Sequence, residues 1–250
     1  MIIKPINLMK KKLILLICCA LSIVAQAQNL QVHYDFGRKI YSDEQKTRQM
    51  VTLTFEQFKA DNLGSWFWFI DLDMYHDGMK GAYTEISREF TLTSPSASSS
   101  IAAHVEYDGG MTTFKDGGGT RFQNAVLVGP AWNGHNSDFS ATWSVQALYK
   151  HYLKYKESKA YASFQLTGVW GVTFAGGKGT FSGFIDLWRG EKANHHGQLV
   201  IMTEPQLWYN VTKHFSIGTE VEVSNNFIFP ECASDKSCYI NPTLAVKYNF

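Results

Sequence analysis

Leu30, Val32, Tyr34 and Phe36 alternate with Gln31, His33 and Asp35 near the head of a 250-residue chain, and the same two-residue period returns along its length. Val51, Leu53 and Phe55 alternate with Thr52, Thr54 and Glu56. Trp66, Trp68, Ile70, Leu72 and Met74 face away from Phe67, Phe69, Asp71 and Asp73. Further on, Phe139, Ala141, Trp143, Val145, Ala147 and Tyr149 oppose Thr142, Ser144, Gln146 and Lys150. Ile217, Thr219, Val221 and Val223 oppose Ser216, Gly218, Glu220 and Glu222. The chain closes on Ile240, Pro242, Leu244, Val246, Tyr248 and Phe250 against Thr243, Lys247 and Asn249. Successive side chains of a strand point to opposite faces, so each segment predicts a strand with one apolar and one polar face. Weaker segments at 82–92, 101–108, 122–129, 161–174, 181–189 and 199–209 bring the total to about twelve. In segment 82–92 the parity sends Glu85 inward and Arg88 outward, which predicts a bulge or a change of face there.

The connections alternate too. With the first strand running outward, the outer loops fall at 37–47, 75–81, 109–121, 150–160, 189–198 and 225–239, and hold Lys, Asp, Glu and His. The inner connections at 59–65, 93–100, 131–138, 175–179 and 210–214 are mostly shorter and rich in Gly, Ser and Asn. Ser94 to Ser100 reads as one such turn rather than a linker, so residues 28–250 form a single domain. No apolar run after Gln28 approaches the length of a spanning helix. A soluble barrel or sandwich would turn its apolar face inward. Here many outward positions are bulky aromatics, the strands are long, and the last residue is Phe250. The expected fold is therefore all-β, an antiparallel transmembrane β-barrel of about 12 strands.

The first residues agree with export. Lys4, Lys10, Lys11 and Lys12 precede the uncharged run Leu13–Val24, and Ala25-Gln26-Ala27 supplies small residues before Gln28. This is the pattern of a cleavable signal peptide over 1–27. Cys18 and Cys19 lack the small preceding residue of a lipidation site. Export with a barrel pattern points to the outer membrane of a Gram-negative bacterium, with its lipid as the surrounding partner. Charged residues make up 18% and aromatics 14%, which excludes a disordered chain. The formal charge of +1, without a basic stripe, removes the case for nucleic acid. Without the four leader lysines the 23 basic residues fall to 19 against 22 acidic ones. Cys232 and Cys238, the two cysteines of the mature chain, are expected to form a disulfide in the last outer loop.

Parity also selects the candidate lumen. Phe67, Phe69, Asp71 and Asp73 share one inward face, with Glu85 on the next strand. Phe184, Asp186 and Trp188 share another, followed by Glu204 with Gln206, and Glu220 with Glu222. Rings that stack on a base, beside acids and amides that bond a ribose, suit a nucleoside. The same residues could equally form a polar network that only holds the barrel's shape. No catalytic residue, metal site or cofactor is expected. His195-His196 reads as solvated loop, His135-Asn136-Ser137 as a turn without a partner nucleophile, and Gly117-Gly118-Gly119 and Gly176-Gly177 as turn glycines.

Several stretches, in order and spacing, resemble a known family. They are Gly64 to Asp71 (GSWFWFID), Ala82 to Arg88 (AYTEISR), Phe181 to Trp188 (FSGFIDLW), Glu204 to Asn210 (EPQLWYN), Gly218 to Glu222 (GTEVE), Asn226-Phe227 and the terminal strand through Phe250. The chain resembles the nucleoside-specific Tsx-like channels of outer membranes and, more closely, their DUF5020-type relatives. The resemblance implies a monomeric twelve-stranded barrel with a narrow pore for nucleosides and similar small solutes. The outer loops and several pore-facing positions depart from the nucleoside channels, so fold carries over better than substrate. A lipid-modifying barrel enzyme and a structural barrel with a plugged lumen are the alternatives.

Overall fold

The computed structural model describes residues 28–114, 118–190 and 199–250, so the leader and the His195-His196 loop lie outside the described residues. The strands are β1 (Asn29–Asp35), β2 (Val51–Asp61), β3 (Gly64–Tyr75), β4 (Gly78–Ser96), β5 (Ser99–Thr113), β6 (Gly119–Arg121) and β7 (Ala125–His135). They continue with β8 (Ala141–Tyr152), β9 (Tyr161–Phe174), β10 (Gly179–Arg189), β11 (Leu199–Thr203), β12 (Gln206–Asn210), β13 (Phe215–Asn225) and β14 (Cys238–Asn249). One helical turn, α1 (Gly37–Ile40), follows β1.

Every pairing is antiparallel, and β14 returns to pair with β1, Asn249 opposite Asn29. The β6 segment is a flap on β5. The halves β11 and β12 keep one register against both β10 and β13 and form a single stave. The result is a closed antiparallel barrel of twelve staves, as the alternation predicts. Register followed round the wall returns to β1 about 16 residues from its start, which gives a strand tilt near ~45° and a backbone radius of about 12 Å.

Glu204-Pro205 divides the tenth stave because Pro205 has no N–H for the ladder. Its carbonyl still accepts from the N–H of Val221, at 3.0 Å. Across the ladder Gly183 adopts φ +152°, where a Cβ would run into the Glu204 carbonyl and the Pro205 Cα. Only glycine takes that conformation without strain.

The faces are inverted relative to a water-soluble barrel. Gln31, His33, Asp35, His104, Asp108, Lys150, Glu222 and Asn241 are buried inside. Trp66, Ile86, Val105, Val128, Trp143, Leu166, Ile185, Leu207, Leu244 and Val246 stand exposed outside. A polar interior beneath an apolar exterior is the distribution expected of a barrel wall in lipid. The apolar core proper is small: Ala125, Leu127 and Leu148 form an island inside the barrel, covered by Tyr152.

Several connections differ from those read from the sequence. The loop expected at 75–81 is only His76-Asp77 between β3 and β4, and the Ser-rich stretch is mostly strand, since β4 runs to Ser96 and β5 starts at Ser99. Serine hydroxyls bridge that tip, Ser96 to Ser99 at 2.8 Å. The irregularity expected in 82–92 does not lie between Glu85 and Arg88. The ladder against β5 is continuous from Gly81 to Thr91, and the register shifts between Thr91 and Thr93, at the end of that segment, as well as near Asp73/Met74. Glu85 does point inward and Arg88 outward. The outward guanidinium lies 5.0 Å from the Trp66 ring and 5.1 Å from that of Phe90, and donates to Asp61 at 2.8 Å near the short-turn end. Cation–π contact and snorkelling let this arginine occupy the outer face without a change of register.

Candidate functional site

The candidate site is the lumen, whose lining follows from the register. Its wall around β12, β13, β14, β1 and β2 is tightly packed. Trp208 is 1% exposed, its Nε1 donating to Gln206 at 2.9 Å while the Gln206 amide donates to Glu220 at 2.6 Å. Gly218 leaves the room the indole fills, since a Cβ there would meet the ring. Lys247 Nζ sits 4.0 Å from its centroid and His33 meets it edge-on. Toward the mouth, Arg48 descends from the connection after β1 and bridges Asp35 at 2.9 Å and Glu222 at 2.8 Å. Gln45 of the same connection donates to Asn241 at 3.2 Å.

The opposite wall carries a second network. Lys150 Nζ donates to Asp108 at 3.0 Å and Gln165 at 2.7 Å. His104 lies between Glu89 at 3.2 Å and Glu106 at 3.1 Å, one carboxylate at each ring nitrogen, so both nitrogens donate only as the imidazolium. Glu85, Glu106 and Asp108 bring one carboxylate oxygen each within 4.8 Å of one another. Asp71, Asp73 and Asp186 accept from the hydroxyls of Thr54, Thr52 and Thr167, and Glu56 from the Asn29 amide.

All the residues predicted to line the lumen are on inward faces. Phe67, Phe69, Asp71 and Asp73 point inward from β3, with Tyr83 and Glu85 on β4. Phe184, Asp186 and Trp188 point inward from β10, Glu204 and Gln206 from the tenth stave, and Glu220 from β13. In the ring of twelve, β3 and β10 are six staves apart, on opposite walls. Phe67 and Phe69 lie toward the short-turn end in a file with Tyr83 and Phe122, neighbouring centroids 5.9 to 6.3 Å apart. Trp188 lies at the loop end, edge-on to Phe227 at 5.9 Å.

The sequence reading did not single out Arg48, His104, Glu106, Asp108 or Trp208, and it placed Lys150 on the polar face without giving it a role. Continuing the alternation through 101–108 and 199–209 finds His104, Glu106, Asp108 and Trp208. Arg48 lies in a connection, where no periodicity marks it.

The long connections meet over one side of the mouth. Glu44 accepts from Ser234 at 2.7 Å and Lys236 at 3.0 Å, and Glu231 accepts from the N–H of Thr47 at 2.6 Å. Hydrogen bonds from Ser234 and Lys236 hold the Glu44 carboxyl below its ordinary range. The expected disulfide is absent: Cys232 and Cys238 are exposed free thiols. Cys238 is fixed as the first residue of β14 opposite Asn225, while Glu231, beside Cys232, is tied to the Glu44 carbonyl. At the other end, His135 stacks on Phe139 with centroids 3.8 Å apart and its Nδ1 lies against the Asn136 carbonyl.

The family model described as Domain of unknown function (DUF5020) matches residues 27–250. No curated protein matches. Among solved structures, the NanC porin is similar with a TM-score of 0.58 at 9% identity, covering 89% of this chain and 98% of that one. The KdgM porin is 12% identical with a TM-score of 0.49, over 89% and 98% of the two chains. The Acinetobacter baumannii outer membrane protein Omp33 is 11% identical with a TM-score of 0.41, over 90% and 98%.

Proposed function

The chain belongs to the DUF5020 family, and we propose that this member is an outer-membrane channel for passive passage of small solutes, nucleosides among them. The carrying observation is the inverted barrel: staves apolar toward lipid enclose a lumen lined with charged, amide and aromatic groups. The fold shared with the NanC porin supports the same reading. Nucleosides suit the lining because Phe67, Phe69 and Tyr83 offer ring faces on one wall and Phe184 and Trp188 on the other. Acceptors such as Asp71 and Asp186 stand beside them for ribose hydroxyls. Stacking of a base on such a ring is worth about 1–3 kcal/mol.

Swelling of liposomes loaded with the purified protein, with nucleosides compared to sugars of similar mass, tests this. Faster nucleoside entry, selectively reduced by Phe184→Ala with Trp188→Ala, is expected. Equal entry of both solutes, equally altered in the variant, would remove the nucleoside reading. No entry of any solute would favour the second reading, a plugged structural barrel. That reading draws on the dry wall where Gln31, His33, Trp208, Ser216 and Asn241 are at most 3% exposed.

A further inference from the structure

The lumen is unbalanced in charge. Twelve carboxylates face it from the described strands: those of Asp35, Glu56, Asp71 and Asp73; of Glu85, Glu89, Glu106 and Asp108; and of Asp186, Glu204, Glu220 and Glu222. Against them stand the permanent cations Lys150, Lys247 and Arg48 and the His104 imidazolium, with Arg38 and Lys80 over the Tyr75 ring at the mouth. Each is already placed. Arg48 holds Asp35 and Glu222, Lys150 holds Asp108, His104 holds Glu89 and Glu106, and Lys247 lies over Trp208. Among the described residues no ion pair reaches Glu56, Asp71, Asp73, Glu85, Asp186 or Glu204.

In one place three of these carboxylates come together. Glu85, Glu106 and Asp108 converge, and Asp108 is 6% exposed. Its Oδ2 accepts a hydrogen bond from the Lys150 ammonium, yet its Oδ1 is buried with no hydrogen-bond partner. A buried oxygen left without a donor inside a cluster of like charge is an acceptor that a cation can satisfy.

We infer that the lumen selects cations over anions and binds them at Glu85, Glu106 and Asp108. The permeant class is then small cations, metal ions and protonated amines alike. Neutral solutes pass without this help and acidic ones are repelled. The physics is that of any carboxylate-lined conduit: low-dielectric walls focus the field of unpaired acids, raise the local cation concentration and deplete anions. This selectivity rests on the channel reading above; the binding step does not.

Two experiments separate them. In planar bilayers under a KCl gradient, the full-length protein should show a reversal potential reporting potassium permeability about tenfold or more above chloride. A variant carrying Glu85→Gln, Glu106→Gln and Asp108→Asn should lose severalfold of that preference. A ratio near one, or in favour of chloride, overturns the selectivity. No current in any salt would instead overturn the channel reading. Terbium luminescence from the folded protein in vesicles tests binding without conduction. Saturable emission sensitised by the lumenal tryptophans and competed by calcium is expected, and it should be lost in the triple variant. Emission that is absent, or unchanged in that variant, overturns the site. Should the triple variant fail to show the heat-modifiable band of a folded barrel, Glu85→Gln alone, weakening terbium affinity severalfold, decides the matter. Unchanged affinity in that folded single variant overturns the assignment.

Discussion

Replacing Lys150 by Met would remove a charge from a buried part of the barrel interior while nearly keeping its volume. Lys150, Asp108 and Gln165 are 7%, 6% and 5% exposed, and the ammonium lies 3.0 Å from Asp108 Oδ2. At that distance, with an effective dielectric near 20, the attraction is about 5 kcal/mol. The substitution also relieves the cost of burying the ammonium, so the expected net loss is about 3–5 kcal/mol, as for other buried pairs deprived of one partner. Glu85 and Glu106 push toward the upper end, because Asp108 is then left among carboxylates alone. The assay is reversible urea unfolding in lipid vesicles followed by tryptophan emission. The Lys150→Met, Asp108→Asn double variant should return to within about 1 kcal/mol of the parent, since the uncompensated charge leaves with its partner. A single-variant loss below ~1 kcal/mol would refute the reasoning. It would mean that water reaches the pair and screens it like a surface ion pair.

Other outcomes follow from particular contacts. Arg88→Leu should change stability by no more than about 1 kcal/mol, because a charge near the membrane interface costs little and its pair with the partly exposed Asp61 contributes little; a change above ~3 kcal/mol in the same unfolding assay would contradict this. Gly183→Val should destabilise the barrel by about 1–3 kcal/mol through strain at φ +152° and collision with Glu204-Pro205, seen as loss of the heat-modifiable band on gels; an unchanged band would count against it. Glu44, held low in the folded state, stabilises the joined mouth connections above the ordinary glutamate range, and that contribution disappears as pH falls through the folded value. Proteolysis of the connections should therefore rise as pH drops below about 4, and Glu44→Gln should remove most of that pH dependence.

Much of the wall was legible because lipid imposes one rule at every position. An outward residue of a barrel stave must be apolar, so parity along Trp66–Met74 or Ile240–Phe250 assigns the faces without any tertiary information. In segment 82–92 the register shifts only at the far end, past Thr91, and Arg88 breaks the pattern but not the register. Only the positions of Trp66, Phe90 and Asp61 in space show how that charge is accommodated. Connections were harder to read. Their lengths depend on where pairing stops, and Ser94 to Ser100 carry little apolar signal although most of them extend strands. Within the lumen, parity placed Asp71, Glu85, Phe184 and Asp186 inward, but alternation carries no height along the axis. It could not show that Phe67 and Trp188 lie near opposite ends. Arg48 reaches the lumen from a connection, and only a folded chain reveals its bond to Glu222, 174 positions away.

The pairing of β14 with β1 bears on how the molecule is made. Asn29 meets Asn249, and the Phe250 amide donates to the Gln28 carbonyl, so the seam joins residues more than two hundred positions apart. No shorter length of chain can form it, and loop closure over such a span is slow because its entropy is lost before any contact compensates it. Until then every intermediate presents two unsatisfied strand edges, either of which could pair with a second copy. Closure is thus the last event of folding and the one most exposed to competition. Variants that weaken the seam should reveal themselves in assembly yield before they change the stability of barrels already closed.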